Sequence, residues 1–375
     1  MLQLLTEMGY AVDLLSYPTS EAHRVRQHFV LPMGSGGRVA TLRRRARAIT
    51  HLVLRKVLRI DRVLDDLNQA RLGIAAFENQ LRERAYDLIV VQDIYMLSLA
   101  LRIRGDARVV FDAREFYPRQ NDENLWFRIS EKPETERICR VHLPKCDAVL
   151  TVSPGLVDAY KSEFGISAHL IMSAPWYREL APSETVEGRF RMVHVGMANP
   201  NRQLEKMIDI VAALDSRFTL DFYLMGSEDY IRTLQARAAS WDRVRILPPV
   251  SFDDIVPTLN RYDIGLYYLE PLAFNLRHSL PNKLFEFIQA RLMIAIGPSP
   301  DMSRVVREYE CGIVADSFAP EYMVAALSRL TSEDVRRGKQ NSDTAARVLC
   351  FEEVSKTLRR VLATPADAAV EAATA

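Results

Sequence analysis

The segment Leu280-Pro-Asn-Lys-Leu-Phe-Glu-Phe-Ile-Gln-Ala-Arg-Leu-Met-Ile-Ala-Ile-Gly297 predicts a loop, a short helix and a buried strand. Pro281 suits the first turn of a helix, where its missing N–H costs nothing. The free N–H groups of such a helix start attract phosphate, and Lys283 adds a full positive charge. Glu286, one turn further on, can accept hydrogen bonds from sugar hydroxyls. The segment therefore offers binding groups for a phosphate and a diol, although an ordinary helix with two surface charges also fits.

Composition narrows the class of protein. A chain of 375 residues suggests about two domains, and 48% hydrophobic with 26% charged residues is ordinary for a globular protein. The net charge of +1 gives no general attraction to nucleic acid, so no nucleic-acid partner is predicted. The four cysteines form no CxxC pair and fit a reducing compartment. No apolar run approaches the roughly 20 residues that span a bilayer, and no signal-peptide pattern is present, so the predicted location is cytoplasmic.

Strand-like apolar segments alternate with helical patterns along the chain, which predicts an α/β fold with doubly wound parallel sheets. About eleven strands are too many for one comfortable sheet, so we predict two Rossmann-like domains facing a cleft. The predicted division is residues 1–175, a linker at 176–189, residues 190–362 and a disordered tail at 363–375. The predicted strands are Tyr10–Ser16, Tyr86–Val91, Arg108–Asp112, Ala148–Ser153, His169–Ala174, Arg191–Gly196, Thr219–Gly226, Val244–Val250, Ile264–Leu269, Met293–Gly297 and Cys311–Ala315.

A second phosphate signal follows the first strand of the second half. That strand is predicted to end at Gly196, where glycine lets the backbone turn closely, and a helix is predicted from Gln203. Arg202 can bind phosphate oxygens through its forked guanidinium. Because Arg202 and Lys283 both follow strand ends that converge on one rim of the sheet, we predict an anion site there. A plain strand-to-helix turn with a solvated arginine is the alternative.

This half resembles the nucleotide-binding domain of GT-B glycosyltransferases, and most of all the large retaining family 4. In that family a glycine after the first strand is followed six residues later by a Lys or Arg on the donor diphosphate, which is the spacing of Gly196 and Arg202. The resemblance places Glu286 on the ribose and Lys283 at the basic position of the "PSKLYEY" variants. It also places the backbone near Val250 against the nucleotide base. The donor-binding residues implied are Gly196, Arg202, Val250, Arg277, His278, Pro281, Asn282, Lys283 and Glu286.

One position departs from the family pattern. The family carries a Glu eight residues before the ribose Glu, where it binds the hydroxyls of the donor sugar, and this chain has His278. We predict that the donor sugar differs from a plain hexose and carries a carboxylate or acetamido group, for which Arg277 or His278 is a better partner. The alternative is that His278 merely occupies the space.

In the first half, Val109-Val-Phe-Asp-Ala-Arg-Glu-Phe-Tyr-Pro118 resembles the "DAHELYP" segment of some family 4 enzymes. Asp112 and Glu115 are therefore candidates for acceptor positioning or proton handling, beside Arg202 and Lys283 as the other catalytic candidates. The alternative is that Asp112 caps the loop and Glu115 pairs with Arg114.

The amino terminus differs from the family pattern of a strand followed by a Gly-rich loop. Met1–Tyr10 predicts the helix that would follow that loop, with Gly9 as its C-terminal stop. About 20 residues then appear to be missing, given typical element lengths. We therefore expect a start annotated too late or a truncated chain.

The segment Gly37–Arg62 carries nine Lys or Arg residues and one acid, Asp61. Apolar residues recur there at spacings of three and four, which predicts an amphipathic helix with a basic face. This pattern favours peripheral contact with the inner leaflet of the plasma membrane through residues 38–62. A core helix with a basic outer face is the alternative.

Together these features predict a glycosyltransferase that moves a sugar from a nucleotide-diphosphate donor to a bacterial surface glycan or polyprenyl-linked acceptor. The resemblance implies retention of anomeric configuration and no metal cofactor, because cationic side chains and a helix start stabilise the leaving diphosphate. The alternative is a non-catalytic or degraded GT-B subunit that binds a glycan or a partner. A nucleotide-sugar epimerase is a third option, which lacks the dense acid–base cluster it would need.

Overall fold

The computed structural model describes residues 1–32 and 61–363, which form two compact units. Of the described residues, the first unit contains 1–32, 61–152, 156–171 and 355–363; the second contains Ser153–Gly155 and Met172–Val354. The predicted basic helix of 38–62 lies almost wholly outside the described residues, as does the tail beyond residue 363. Among the residues described, no helix is both long and apolar enough to cross a membrane.

The first unit begins with the predicted helix, which ends at Met8 before Gly9 adopts a φ of +86°. Its helices are α1 Leu2–Glu7, α2 Asp61–Leu72, α3 Glu78–Arg82, α4 Leu97–Ile103, α5 Leu125–Ser130, α6 Lys132–His142 and α7 Pro154–Phe164, the last joining this unit from Leu156. Its strands are β1 Asp13–Ser16, β2 Gln27–Val30, β3 Leu88–Val91, β4 Arg108–Ala113, β5 Ala148–Thr151 and β6 His169–Leu170.

The strands of the first unit form two parallel sheets. One is the pair β1–β2, and the other has the order β3-β4-β5-β6. Strand β4 is buried along nearly its whole length, as expected for a strand covered on both faces. Strand β2 was not predicted, because half of its four residues are exposed and it lacks a continuous apolar run.

The second unit is built around one parallel sheet of six strands. These are β7 Phe190–Ala198, β8 Phe218–Gly226, β9 Val244–Leu247, β10 Ile264–Tyr267, β11 Met293–Ile296 and β12 Gly312–Val314. Its helices are α8 Glu205–Ala213, α9 Glu228–Ala238, α10 Ile255–Leu259, α11 Phe274–Arg277, α12 Asn282–Gln289, α13 Pro300–Glu308, α14 Pro320–Ser328, α15 Ser332–Val348 and the start of α16 Phe351–Leu362.

The order of this sheet is β12-β11-β10-β7-β8-β9, so β7 and β10 are its central strands. From β7 to β9, each strand is added on one side of the sheet. From β10 to β12, each strand is added on the opposite side. In open sheets of this type, ligands bind beyond the carboxyl ends of the strands where the order reverses. The point of reversal lies between β7 and β10, and the loops after these strands carry the predicted donor-site residues.

The structure confirms the predicted α/β fold class of Rossmann-like parallel sheets. All eleven predicted strands are present, and most are shorter than their apolar runs. Residues 355–362, which the prediction included in the 190–362 domain, belong to the first unit in the structure. Within that unit, Arg359 donates a 2.6 Å hydrogen bond to the carboxylate of Glu7.

Candidate functional site

The loop after β7 positions Arg202. The strand continues two residues beyond Gly196 to Ala198, and a short 3-10 turn, Pro200–Arg202, follows. The side chain of Asn199 caps this turn by accepting from the N–H of Asn201 at 3.0 Å. The turn ends at Gln203, whose φ is +48°. The following helix therefore begins at Glu205 rather than at Gln203 as predicted.

Gly196 leaves a recess into which basic side chains converge. A Cβ atom on Gly196 would lie 3.4 Å from Nε2 of His194, 3.6 Å from Nη1 of Arg202 and 3.9 Å from Cε of Lys283. Within the described part of the chain, the Arg202 guanidinium has neither a side-chain hydrogen bond nor an ion pair. The structure thus brings together the two cations that the sequence placed on one rim.

Helix α12 begins one residue later than predicted. Pro281 is its N-cap, with φ −71° and ψ 150°, and Asn282 is exposed at the first helical position. Lys283 remains in the first turn, where its Nζ lies 3.2 Å and 3.4 Å from the two carboxylate oxygens of Glu286. The Glu286 residue is only 5% exposed. The groups predicted to bind phosphate and ribose are therefore paired with each other.

His194 is a residue of this recess that sequence reasoning did not find. It is fully buried on the central strand β7, and its Nδ1 lies 2.9 Å from the carbonyl oxygen of Leu266. Because a carbonyl oxygen only accepts, Nδ1 carries the proton, and Nε2 has no hydrogen-bond partner. Burial, with the charges of Arg202 and Lys283, lowers the pKa of His194 to about 4, against the opposing effect of the Leu266 hydrogen bond. The ring is therefore neutral near pH 7.

His278 follows helix α11 and is held by a carboxylate. Its Nδ1 lies 3.0 Å from Oδ2 of Asp301, which is itself largely buried in the first turn of α13. Asp301 also accepts a 3.0 Å hydrogen bond from the N–H of Gly155, which belongs to the same compact unit. The His278 ring packs on Phe274 with ring centroids 4.7 Å apart. This geometry favours the alternative in which His278 is a structural side chain, whereas Arg277 is exposed at the end of α11.

Val250 lies in the loop between β9 and a short 3-10 turn, Phe252–Asp254. It is half-buried, and the strand before it ends at Leu247 rather than continuing to Val250 as predicted. The prolines Pro248 and Pro249 account for the early end, because proline cannot donate a hydrogen bond to the sheet. The loop follows the edge strand β9, on the same rim as the loops after β7 and β10.

The candidate acids of the first half belong to the first unit. Asp112, on β4, is 3% exposed and accepts hydrogen bonds from Nε2 of Gln92 at 2.8 Å and Nε of Arg114 at 3.3 Å. Arg114 therefore pairs with Asp112. The alternative, in which Arg114 pairs with Glu115, is not what the structure shows. Glu115 is half-buried, and its backbone carbonyl accepts from the hydroxyl of Tyr160 at 2.8 Å.

Comparison with known proteins agrees with this architecture. Residues 189–333 match the family described as "Glycosyl transferases group 1". No curated protein matches the chain in sequence. The fold resembles that of WaaG, a glycosyltransferase involved in lipopolysaccharide biosynthesis, with a TM-score of 0.66 and 12% identity over 96% of this chain and 93% of that chain.

Two further solved structures are similar. Anabaena Alr3699/HepE in complex with UDP and glucose gives a TM-score of 0.63 at 11% identity, covering 96% of this chain and 94% of that chain. A variant of S. aureus TarM in complex with Fondaparinux, alpha-GlcNAc-glycerol and UDP gives 0.60 at 9% identity, covering 76% of this chain. This chain spans only 58% of that TarM chain. At these identities the likeness shows the fold.

The structural likeness confirms the predicted GT-B fold, and residues 189–333 match a glycosyltransferase domain as predicted. Membership of family 4 in particular stays a prediction. The matched segment, 189–333, contains Gly196, Arg202, Lys283, Glu286 and His194. The recess therefore lies wholly within the domain that the family match identifies.

Proposed function

We propose that this protein transfers a sugar from a nucleotide-diphosphate donor to a bacterial surface glycan or lipid-linked acceptor, with retention of configuration. The observation that carries the proposal is the convergence of Arg202 and Lys283 on Gly196, beside Glu286. The neighbours support the choice of substrates, since WaaG is involved in lipopolysaccharide biosynthesis and the HepE and TarM structures contain UDP together with sugar ligands.

In this proposal, the diphosphate lies in the recess at Gly196. Arg202 and Lys283 neutralise the charge that develops on the leaving diphosphate as the glycosidic bond breaks, and the start of α12 adds its dipole. Lys283 exchanges its contact with Glu286 for phosphate oxygens. The Glu286 carboxylate then accepts hydrogen bonds from the ribose hydroxyls. These cationic groups do the work of a divalent metal, so we propose that transfer requires no metal cofactor.

The acceptor is assigned to the first unit, where Asp112 and Glu115 are the proposed positioning or proton-handling groups. Glu115 is the better placed of the two for a direct contact, because Asp112 is nearly buried and already accepts two hydrogen bonds. Peripheral membrane contact through residues 38–62 stays part of the proposal and would bring the enzyme to polyprenyl-linked acceptors.

The donor sugar is proposed to carry a carboxylate or acetamido group. Arg277 is the better candidate to contact this group. Nδ1 of His278 already contacts Asp301, whereas Arg277 is exposed. A guanidinium there attracts a carboxylate and can donate hydrogen bonds to the carbonyl oxygen of an acetamido group.

The proposal is tested by incubating the protein with UDP-, GDP-, ADP- and dTDP-linked sugars, including uronic acid and acetamido donors. Release of nucleoside diphosphate should depend on polyprenyl-diphosphate-linked glycan, and the transferred sugar should keep its anomeric configuration. The non-catalytic alternative is favoured by one observation, the engagement of both Asp112 and His278 by other side chains. Nucleotide binding without turnover on any acceptor would support that alternative.

A further inference from the structure

His194 has an arrangement that neither core packing nor the roles assigned to Arg202 and Lys283 explain. Its Nε2 is a buried polar atom without a partner, and buried polar groups are nearly always hydrogen-bonded. The nitrogen also lies 3.4 Å from the place that a Gly196 side chain would fill, in the recess shared with Arg202 and Lys283. An unsatisfied nitrogen facing two cations indicates that a ligand completes the site.

The charges around His194 define what that ligand must be. Arg202 faces it from the loop after β7, and Lys283 faces it from α12 with Glu286 as its counter-ion. From the neighbouring strand β10, Tyr267 packs at 6.1 Å between ring centroids, and burial raises the pKa of its phenol, so it stays neutral. From β8, Phe222 contributes only an apolar ring. The surroundings are therefore net positive and repel a proton until an anion arrives.

We infer that His194 is a third binding group of the diphosphate site and takes up a proton on Nε2 when the diphosphate binds. This inference rests on the proposed function, because it assumes a nucleotide diphosphate in the recess. Nδ1 keeps its own proton and donates it to the Leu266 carbonyl oxygen throughout. The additional proton therefore comes from solvent and can bind only at Nε2. The protonated Nε2 then donates to a phosphate oxygen, and the imidazolium adds to the charge of Arg202 and Lys283.

This arrangement gives the site a charge that adjusts to its ligand. A permanent third cation in the recess would repel Arg202 and Lys283 in the nucleotide-free protein. A histidine that is neutral until the anion binds avoids that cost, because the phosphate charge raises its pKa only when it is needed. The predicted consequence is that affinity for a diphosphate falls as pH rises, by up to about tenfold per pH unit, in the range where the complex holds the extra proton.

The test is titration calorimetry with nucleotide-diphosphate sugars, beginning with UDP-glucose and extending to GDP-mannose and ADP-glucose. A diphosphate diester has no group of its own that titrates near neutral pH, so protons taken up belong to the protein. Measurements at pH 6 in buffers of different ionisation enthalpy give the number of protons bound. We expect an uptake approaching one proton per nucleotide in the wild type and none in His194→Gln. The control His169→Gln, which changes an exposed histidine of β6, should keep the uptake.

The ¹⁵N NMR signal of Nε2 in the wild type provides a readout that does not depend on a folded variant. Its chemical shift should be that of an unprotonated ring nitrogen in the protein without nucleotide. In the complex it should be that of a protonated ring nitrogen. Nucleotide binding without proton uptake, or uptake that persists in His194→Gln or vanishes in His169→Gln, would overturn the inference while leaving the proposed function intact. Failure of every nucleotide sugar to bind would instead overturn the proposed function, and the inference with it.

Discussion

The Lys283 ammonium lies 3.2 Å from the Glu286 carboxylate, so the residues assigned to diphosphate and to ribose are paired with each other. Glu286 is nearly buried, and loss of Lys283 would leave its charge without a partner. The pair keeps both charges satisfied in the protein without nucleotide. A nucleotide diphosphate offers each member a replacement, phosphate for Lys283 and a diol for Glu286, so the site is built for both parts of the ligand together.

The first prediction concerns the recess itself. Gly196→Ala should fold normally, because the added methyl group would meet its neighbours at ordinary contact distances of 3.4 Å or more. The methyl group would occupy the recess, so diphosphate binding should weaken by at least about tenfold, the scale of one charged hydrogen bond. Thermal unfolding and calorimetry measure the two effects. Unchanged affinity for the diphosphate in a folded Gly196→Ala variant would place the phosphates elsewhere.

The second prediction concerns the ribose. Glu286→Gln should weaken binding of a ribonucleotide more than binding of the matching 2′,3′-dideoxynucleotide, because only the ribonucleotide offers the diol. Parallel calorimetric titrations of both ligands measure the difference. Glu205→Gln, at the start of α8 in the same unit, is the control. An equal loss for both nucleotides would make Glu286 a structural partner of Lys283 alone.

The third prediction concerns the pair formed by His278 and Asp301. His278→Glu would place a second carboxylate beside Asp301, where the histidine nitrogen now lies at 3.0 Å. We expect a loss of unfolding free energy of about 1–3 kcal/mol, the cost of losing a buried hydrogen-bond partner. His278→Gln should lose less, and adding Asp301→Asn to His278→Glu should recover part of the loss. Urea unfolding at pH 7 measures all three, and equal stability of the Glu and Gln variants would rule out a structural pair.

Much of this fold was predictable from local pattern. Met293–Ile296 and the other core strands of the second unit are apolar runs buried on both faces, and such runs are visible in sequence. The six-residue spacing of Gly196 and Arg202 likewise predicted that these two residues belong to the recess. The short strand β2 was missed, because it is held by pairing with β1 and not by its own composition.

The rest of the site depends on contacts between distant residues. Asp301 lies 23 positions after His278, and nothing in the spacing indicates that the two side chains meet. His194 sits in an apolar strand, where a histidine is ordinarily a core residue, and only its unpartnered nitrogen beside Gly196 identifies it. The Lys283–Glu286 pair was within reach of sequence reasoning, since residues three apart share a helix face.

The fourth prediction concerns pH and stability. The pKa of His194 is depressed to about 4 in the folded protein from an ordinary 6.5, so the unfolded chain binds more protons between these values. Stability due to this group is therefore present above pH 6.5 and lost as pH falls towards 4, by about 3 kcal/mol. Urea unfolding of wild type and His194→Gln at pH 7 and pH 4.5 isolates the effect from other acids. Parallel losses in the two proteins would contradict a buried neutral histidine.

The central claim is that Arg202 and Lys283 bind the donor diphosphate, and calorimetric titration of diphosphate against nucleoside tests it most directly. Arg202→Ala is compared with the wild type, with Arg237→Ala on α9 as a control. Lys283→Ala is made together with Glu286→Gln, which avoids an unpaired Glu286, and this pair is compared with Glu286→Gln alone so that the ribose effect cancels. Each cation should contribute about 1.5–3 kcal/mol to diphosphate binding and almost nothing to binding of the nucleoside. Equal losses for nucleoside and diphosphate, or unchanged diphosphate affinity in both variants, would contradict the account.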